Sequence, residues 1–467
     1  MSDKAVADSS ASKNNRNPKS KITGIWQGAL EVSGTKLRIV FNIAEDENGD
    51  LSATMDSPDQ RATDIPVHKV WFKNDSVHIE VRAVGGHYKG VLQNDRTKIS
   101  GQWYQGGARL DVELKSVEKK PVLNRPQEPK KPYPYRDEEV FYQNEAAGVE
   151  IAGTLTSPRT KGPFTAVILI SGSGPQDRDE TVMGHRPFLV LADRLTKQGI
   201  AVLRTDDRGV GGTTGNLYQS TSQDLAGDVL AGIEFLKNRS DINNKKIGLI
   251  GHSEGGLIAP MVAAQSSDVA FIVLMAGPGL PGEEILYLQN ELIRKAEGQT
   301  EKQIKENHQI QKRIFKTIKS HETAMNKKAR LRNLFTEVFE YLYQLQKKEI
   351  GNKEKFIQSK VNNVLSPWFQ FFLNYDPRRT LKKVKCPVLA LNGQKDLQVT
   401  AEQNLEAIQK ALKEGGNTQV TTKLFPNLNH LFQKAESGAP SEYAKIEQTL
   451  SPEVIAAIAE WIEKQMH

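Results

Sequence analysis

The chain has 467 residues, 38% of them hydrophobic and 25% charged, with a formal net charge of +7 and one cysteine. That length allows a sizeable core and two or three domains. A single thiol excludes an internal disulfide and a cysteine-based zinc site, and no stretch has the length or apolarity of a membrane span.

Residues 1–20 are rich in Ser, Asn and Lys and lack the apolar centre of a signal peptide. They read as a disordered tail, so the chain as written is expected in the cytoplasm; an exported form with its signal removed would look the same. Residues 21–118 alternate with the period of a strand: Leu37, Ile39, Phe41 and Ile43 on one face, then Val77, Ile79 and Val81. Short strands separated by turns such as Glu47-Asn48-Gly49-Asp50 predict a small all-β domain, a barrel or a sandwich. Gly24-x-Trp26 and Gly101-x-Trp103 resemble the G-x-W of lipocalin-like barrels, and core packing of a glycine–tryptophan pair is the competing reading. Residues 119–135 are rich in Lys and Pro and read as an extended linker. A further domain is expected over 136–467.

Within it, Val167-Ile168-Leu169-Ile170 reads as a buried strand leading into the loop Ser171-Gly172-Ser173-Gly174-Pro175. The acidic run Gln176-Asp177-Arg178-Asp179-Glu180 beside that loop reads as an ion-pair network. After the apolar run Lys246-Ile247-Gly248-Leu249-Ile250 come Gly251-His252-Ser253-Glu254-Gly255, then a run of small and apolar residues. Strand, turn and helix around G-x-S-x-G is the context of a nucleophile elbow, whose glycines relieve a strained serine. Residues 280–380 interrupt the pattern with helical spacing: Leu331, Leu334, Phe335, Val338, Leu342 and Leu345. The interruption ends in the aromatic run Pro367-Trp368-Phe369-Gln370-Phe371-Phe372-Leu373, which suits either an acyl pocket or core packing.

A second buried strand, opened by Cys386, ends near Asp396. A helix over 401–412 follows, then the strand Val420-Thr421-Thr422-Lys423-Leu424-Phe425 and a turn reaching His430. Ser451 and Pro452 cap a final amphipathic helix. Ser253, Asp396 and His430 therefore each follow a strand, where parallel sheets gather their reactive groups. Asp177, Asp206 and Asp207 compete with Asp396 but precede the serine. Of the nine histidines only His430 follows a strand beyond Asp396; His252 lies inside the motif and cannot fold back onto Ser253.

The order Ser…Asp…His, the first loop and Asp206-Asp207-Arg208-Gly209-Val210-Gly211 together resemble the α/β-hydrolase superfamily, and more narrowly the bacterial serine carboxylesterases. Ser171 stands where that family's oxyanion loop usually has histidine. The resemblance implies a mostly parallel sheet with helices on both faces, a helical cap at 280–380, and hydrolysis of small acyl esters. It implies Ser253 as nucleophile, His430 as base and Asp396 as its orienting acid. The oxyanion hole would use the backbone N–H of Glu254 and of Ser173, with Gly174 the alternative to Ser173. A serine aminopeptidase with the same triad, and a binding protein built on the β domain, are the competing functions.

No cofactor or metal is expected. Asp177 stands where a dinucleotide loop needs its third glycine, the glycine-rich 209–215 lacks a Gly-Lys-Ser/Thr, and there is no H-E-x-x-H. The lysines interleave with glutamates at 301–312 and 347–355, which marks solvated helix faces rather than a nucleic-acid surface. The partner expected is a small ester.

Overall fold

The computed structural model describes residues 21–466, apart from 33–34, 47, 61, 120–123 and 347–351. The expected tail and part of the expected linker lie outside the described residues. The chain divides into two compact units, Met1–Val122 and Leu123–His467.

Among the described residues, the first unit is one nine-stranded antiparallel sheet. Its strands are β1 (Gly24–Val32), β2 (Thr35–Glu45), β3 (Leu51–Ser57), β4 (Ala62–Pro66), β5 (Lys69–Lys73), β6 (Ser76–Val81), β7 (Gly86–Leu92), β8 (Lys98–Gln105) and β9 (Ala108–Val117). They pair in the order β4-β3-β2-β1-β9-β8-β7-β6-β5, so a single sheet supplies the whole core, as in a barrel rather than a two-sheet sandwich. The alternating residues Ile39, Phe41, Ile43, Val77, Ile79 and Val81 are all buried in it with Trp26, Tyr88 and Trp103. Both tryptophans and Gly101 serve that packing, whereas a Cβ on Gly24 would meet nothing within 4 Å. A Cβ on Gly101 would stand 2.2 Å from the carbonyl oxygen of Lys89, and Trp103 fills the space over Gly86 that a Cβ would need.

The second unit carries an eight-stranded sheet in the order β10-β11-β13-β12-β14-β15-β16-β17 among the described residues. Its strands are β10 (Arg136–Asn144), β11 (Val149–Ser157), β12 (Phe164–Ile170), β13 (Ala201–Thr205), β14 (Ile242–His252), β15 (Val269–Met275), β16 (Val388–Gly393) and β17 (Val420–Phe425). The β10–β11 and β11–β13 pairs are antiparallel, and every later pair is parallel. Every residue of β12 is buried, because a central parallel strand is covered on both faces. Its Ala166, Ile168 and Ile170 pack on one side, and its Val167 and Leu169 on the other.

Eleven α-helices are described in this unit: α1 (Pro187–Lys197), α2 (Ser222–Lys237), α3 (Gly255–Ala263), α4 (Gly282–Ala296), α5 (Glu301–Lys319), α6 (Ala324–Gln346), α7 (Lys353–Val364), α8 (Pro367–Asn374), α9 (Pro377–Leu381), α10 (Ala401–Glu414) and α11 (Pro452–Met466). Helices α2, α3, α9 and α10 cover the first face. Helices α1 and α11 cover the second. This is the α/β-hydrolase fold. Helices α4–α8 form the cap between β15 and β16, with a core of their own that includes Phe315, Leu331, Phe335 and Val361. Residues 124–135 are tied to this unit at named points. The Arg125 guanidinium donates to the carbonyls of Met183, Gly184, Ala444 and Ile446.

Candidate active site

The pentapeptide closes β14 and opens α3. Ser253 has φ +52°, a conformation disfavoured for a residue with a Cβ and held only where the surroundings enforce it. Its N–H donates to the Met275 carbonyl at 2.8 Å, and its carbonyl accepts from Gly256 N–H at 2.9 Å. The flanking glycines are required by contact. A Cβ on Gly255 would stand 2.0 Å from the Ile170 carbonyl oxygen, and one on Gly251 would stand 2.0 Å from the oxygen of Gly255. The oxyanion loop candidate lies alongside, since a Cβ on Gly172 would stand 3.2 Å from the Ser253 Cβ.

Asp396 and His430 come from the turns after β16 and β17 and meet. His430 Nδ1 is 2.8 Å from Asp396 Oδ2, and both side chains are buried. The other carboxylate oxygen accepts from the N–H groups of Gln398 and Val399 at 2.8 and 2.9 Å, which fixes the carboxylate and leaves it one oxygen for the imidazole. Ser253 Oγ makes no hydrogen bond among the described residues; such contacts are often long before substrate binds. The rival acids are engaged elsewhere: Asp206 with Arg178, Asp207 with Ser171 and Gln176, and Asp177 with Thr181.

Three carboxylates, those of Glu180 and Glu254 buried and that of Asp207 half-buried, hold the loop after β12. Asp207 accepts the Ser171 hydroxyl at 3.0 Å and the Gln176 N–H at 2.9 Å. Glu180 accepts the Gly172 N–H at 2.7 Å. Glu254 interacts with the Ser173 hydroxyl. Among the described residues no acceptor is bonded to the N–H of Ser173 or of Glu254, so both remain available as donors, whereas that of Gly172 is taken.

Burial raises the Asp207 carboxyl to about 7 even though Gln176 and Ser171 favour its charged form; the neighbouring Glu254 and Glu180 push it the same way as burial. Burial also raises the Glu254 carboxyl, against the pull of Ser222, Trp368 and Ser173. Arg178 and Asp179 do form ion pairs, with Asp206 and Glu139 and with Arg186 and Arg204. Glu180 does not join them; it turns inward to His252 Nδ1 at 2.9 Å.

Two side chains acquire partners that the sequence pattern does not indicate. Glu254 Oε1 accepts the Ser222 hydroxyl at 2.6 Å and the Trp368 indole N–H at 2.7 Å, which ties cap helix α8 to the elbow. Trp368 stacks on Phe372 with centroids 5.5 Å apart, so part of the aromatic run is core packing. His252 Nε2 lies 3.0 Å from the backbone oxygen of His430.

The X-Pro dipeptidyl-peptidase family, S15, matches residues 132–430. The chain belongs to the S15 family. The match takes in Ser253 and Asp396 and ends on His430. Esterase EstD of Thermotoga maritima is 29% identical over 381 residues, covering 81% of this chain and 77% of that protein. Among solved structures, the Pyrococcus furiosus esterase Pf2001 is 16% identical with a TM-score of 0.44, over 75% of this chain and 100% of that one. Est1E from Butyrivibrio proteoclasticus, with bound ferulic acid, is 16% identical with a TM-score of 0.40, over 70% of this chain and 99% of that one. No described helix of this S15 member is long and apolar enough to cross a membrane.

Proposed function

We propose that the chain is a serine carboxylesterase acting on small acyl esters through Ser253, His430 and Asp396. The observation that carries this reading is the buried His430–Asp396 pair, 2.8 Å apart, together with a serine of positive φ on a strand-to-helix turn. The match to an esterase over four-fifths of the chain supports the substrate class.

A serine hydroxyl needs a base to become a nucleophile. In the proposed reaction His430 Nε2 takes the Ser253 proton as Oγ attacks the ester carbonyl. Asp396, bonded to Nδ1–H, orients the ring and stabilises the imidazolium. The N–H groups of Ser173 and Glu254 receive the oxyanion, each donor typically contributing about 3 kcal/mol to the transition state. The tetrahedral intermediate collapses, the C–O bond to the alcohol breaks, and His430 gives the leaving alkoxide its proton. Water, deprotonated by His430, then attacks the acyl-enzyme and releases the acid and Ser253.

Ser253→Ala is expected to lower turnover of a chromogenic short-chain ester by about 10⁶-fold while the fold persists. A folded variant with most of its activity would remove Ser253 from the reaction. A matched aminoacyl amide, hydrolysed far more slowly than its ester, separates this reading from a peptidase.

A further inference from the structure

His252 lies between the candidate oxyanion loop and the candidate base, and both of its ring nitrogens face acceptors. Nδ1 is 2.9 Å from Glu180 Oε1 and Nε2 is 3.0 Å from the His430 carbonyl oxygen. A neutral imidazole has only one N–H, so one of these contacts would set two acceptors against each other. The imidazolium donates to both, and Glu180 supplies the counter-charge. His252 and Glu180 are only 5% and 3% exposed, so each is costly to leave unpaired. The same Glu180 oxygen accepts the Gly172 N–H at 2.7 Å. One chain of bonds therefore runs from Gly172 through Glu180 and His252 to the backbone of His430, passing beside Ser253.

We propose that His252, doubly protonated and paired with Glu180, is a positioning residue that braces the oxyanion loop against the backbone of His430. The inference rests on the esterase reading above. Neither side chain touches the reacting atoms; the pair holds the oxyanion donor and the base in register with the nucleophile. The groups that act on the ring come from three loops: Glu180 after β12 and His430 after β17 bond to it, and Asp396 after β16 acts through its charge. Asp207, after β13, faces Glu180. Burial disfavours the charge on His252, but Glu180, the His430 carbonyl and Asp396 outweigh it and raise the pKa above the ordinary histidine value. The bracing form therefore persists to higher pH than in an ordinary histidine and is lost as pH rises through that raised pKa.

The test measures kcat and KM of the full chain with a chromogenic short-chain ester from about pH 6 to 10, for wild type, His252→Gln and Glu180→Gln. A misplaced catalytic geometry typically costs about 10²-fold, so kcat should fall by that order with little change in KM. The alkaline decline of wild-type kcat should move to lower pH in Glu180→Gln and disappear in His252→Gln. Two folded variants with wild-type kcat and an unchanged pH profile would overturn the proposal. Should the variants not fold, the ¹⁵N-histidine spectrum of the wild-type protein decides. One doubly protonated imidazole persisting above the ordinary histidine range is expected, and loss of every imidazolium within that range overturns it. Failure of the esterase reading is distinct, because it appears as activity retained by Ser253→Ala.

Discussion

Ser253 was legible because its local requirements are written beside it. Gly251 and Gly255 are the residues whose missing Cβ atoms let the turn close, and the chain order of serine, acid and histidine needed only the strand pattern. The partners of Glu254 and His252 were not legible. Glu254 meets a tryptophan 114 positions away, and His252 meets a glutamate 72 away; no periodicity encodes such pairings. Glu180 illustrates the point: Arg178 and Asp179 form ion pairs as expected, whereas Glu180 turns toward the elbow.

Two predictions belong to single residues. Burial pushes the Cys386 thiol up to about 12, so the thiolate that alkylating reagents need is scarce. Iodoacetamide at about pH 8 should modify native, half-buried Cys386 far more slowly than the denatured chain; equally rapid labelling of the native protein would contradict its raised pKa. Asp207 has a folded pKa raised to about 7, so the folded state holds a proton that the unfolded state releases near 4. Its contribution to stability is full below about pH 4 and is lost as pH rises through about 7. The melting temperature of wild type, taken relative to Asp207→Asn, should therefore decline between those values. Parallel curves for the two proteins would show that Asp207 is not so perturbed.

At the scale of elements, the strands at the carboxyl ends of which the site residues sit were readable as short apolar runs, and β17 matches its expected residues throughout. Pairing order was not readable: the antiparallel insertion of β11 beside β13 depends on sheet edges rather than on local pattern. The cap was readable from α6, because Leu331, Leu334 and Phe335 keep helical spacing and all three are buried. The destination of its aromatic end was not, since Trp368 and Phe372 suited a pocket or a core equally by composition. Leu331 is fully buried among helices α5–α7, and truncating such a leucine typically costs about 2–5 kcal/mol. Leu331→Ala should therefore speed amide hydrogen exchange in α5–α7 while sparing β12 and β14. Unchanged exchange in the cap would mean its core lies elsewhere.

For the molecule as a whole, each unit has a separate core and a sheet of its own. The choice between barrel and sandwich was open from alternation alone, which gives the inward face of each strand but not how many sheets share a core. The all-β unit has a core of its own, so residues 21–119 expressed alone should unfold cooperatively in urea, followed by fluorescence of the buried Trp26 and Trp103. A featureless titration would mean that the unit depends on the rest of the chain.

The S15 unit is proposed to work by covalent catalysis at one serine, and that can be read directly. A fluorophosphonate should react with the wild-type protein at a single site, and mass spectrometry should place the adduct on Ser253. His430→Ala should label far more slowly and Ser253→Ala not at all. An adduct on another residue, or equal labelling of the Ser253→Ala protein, would contradict the account.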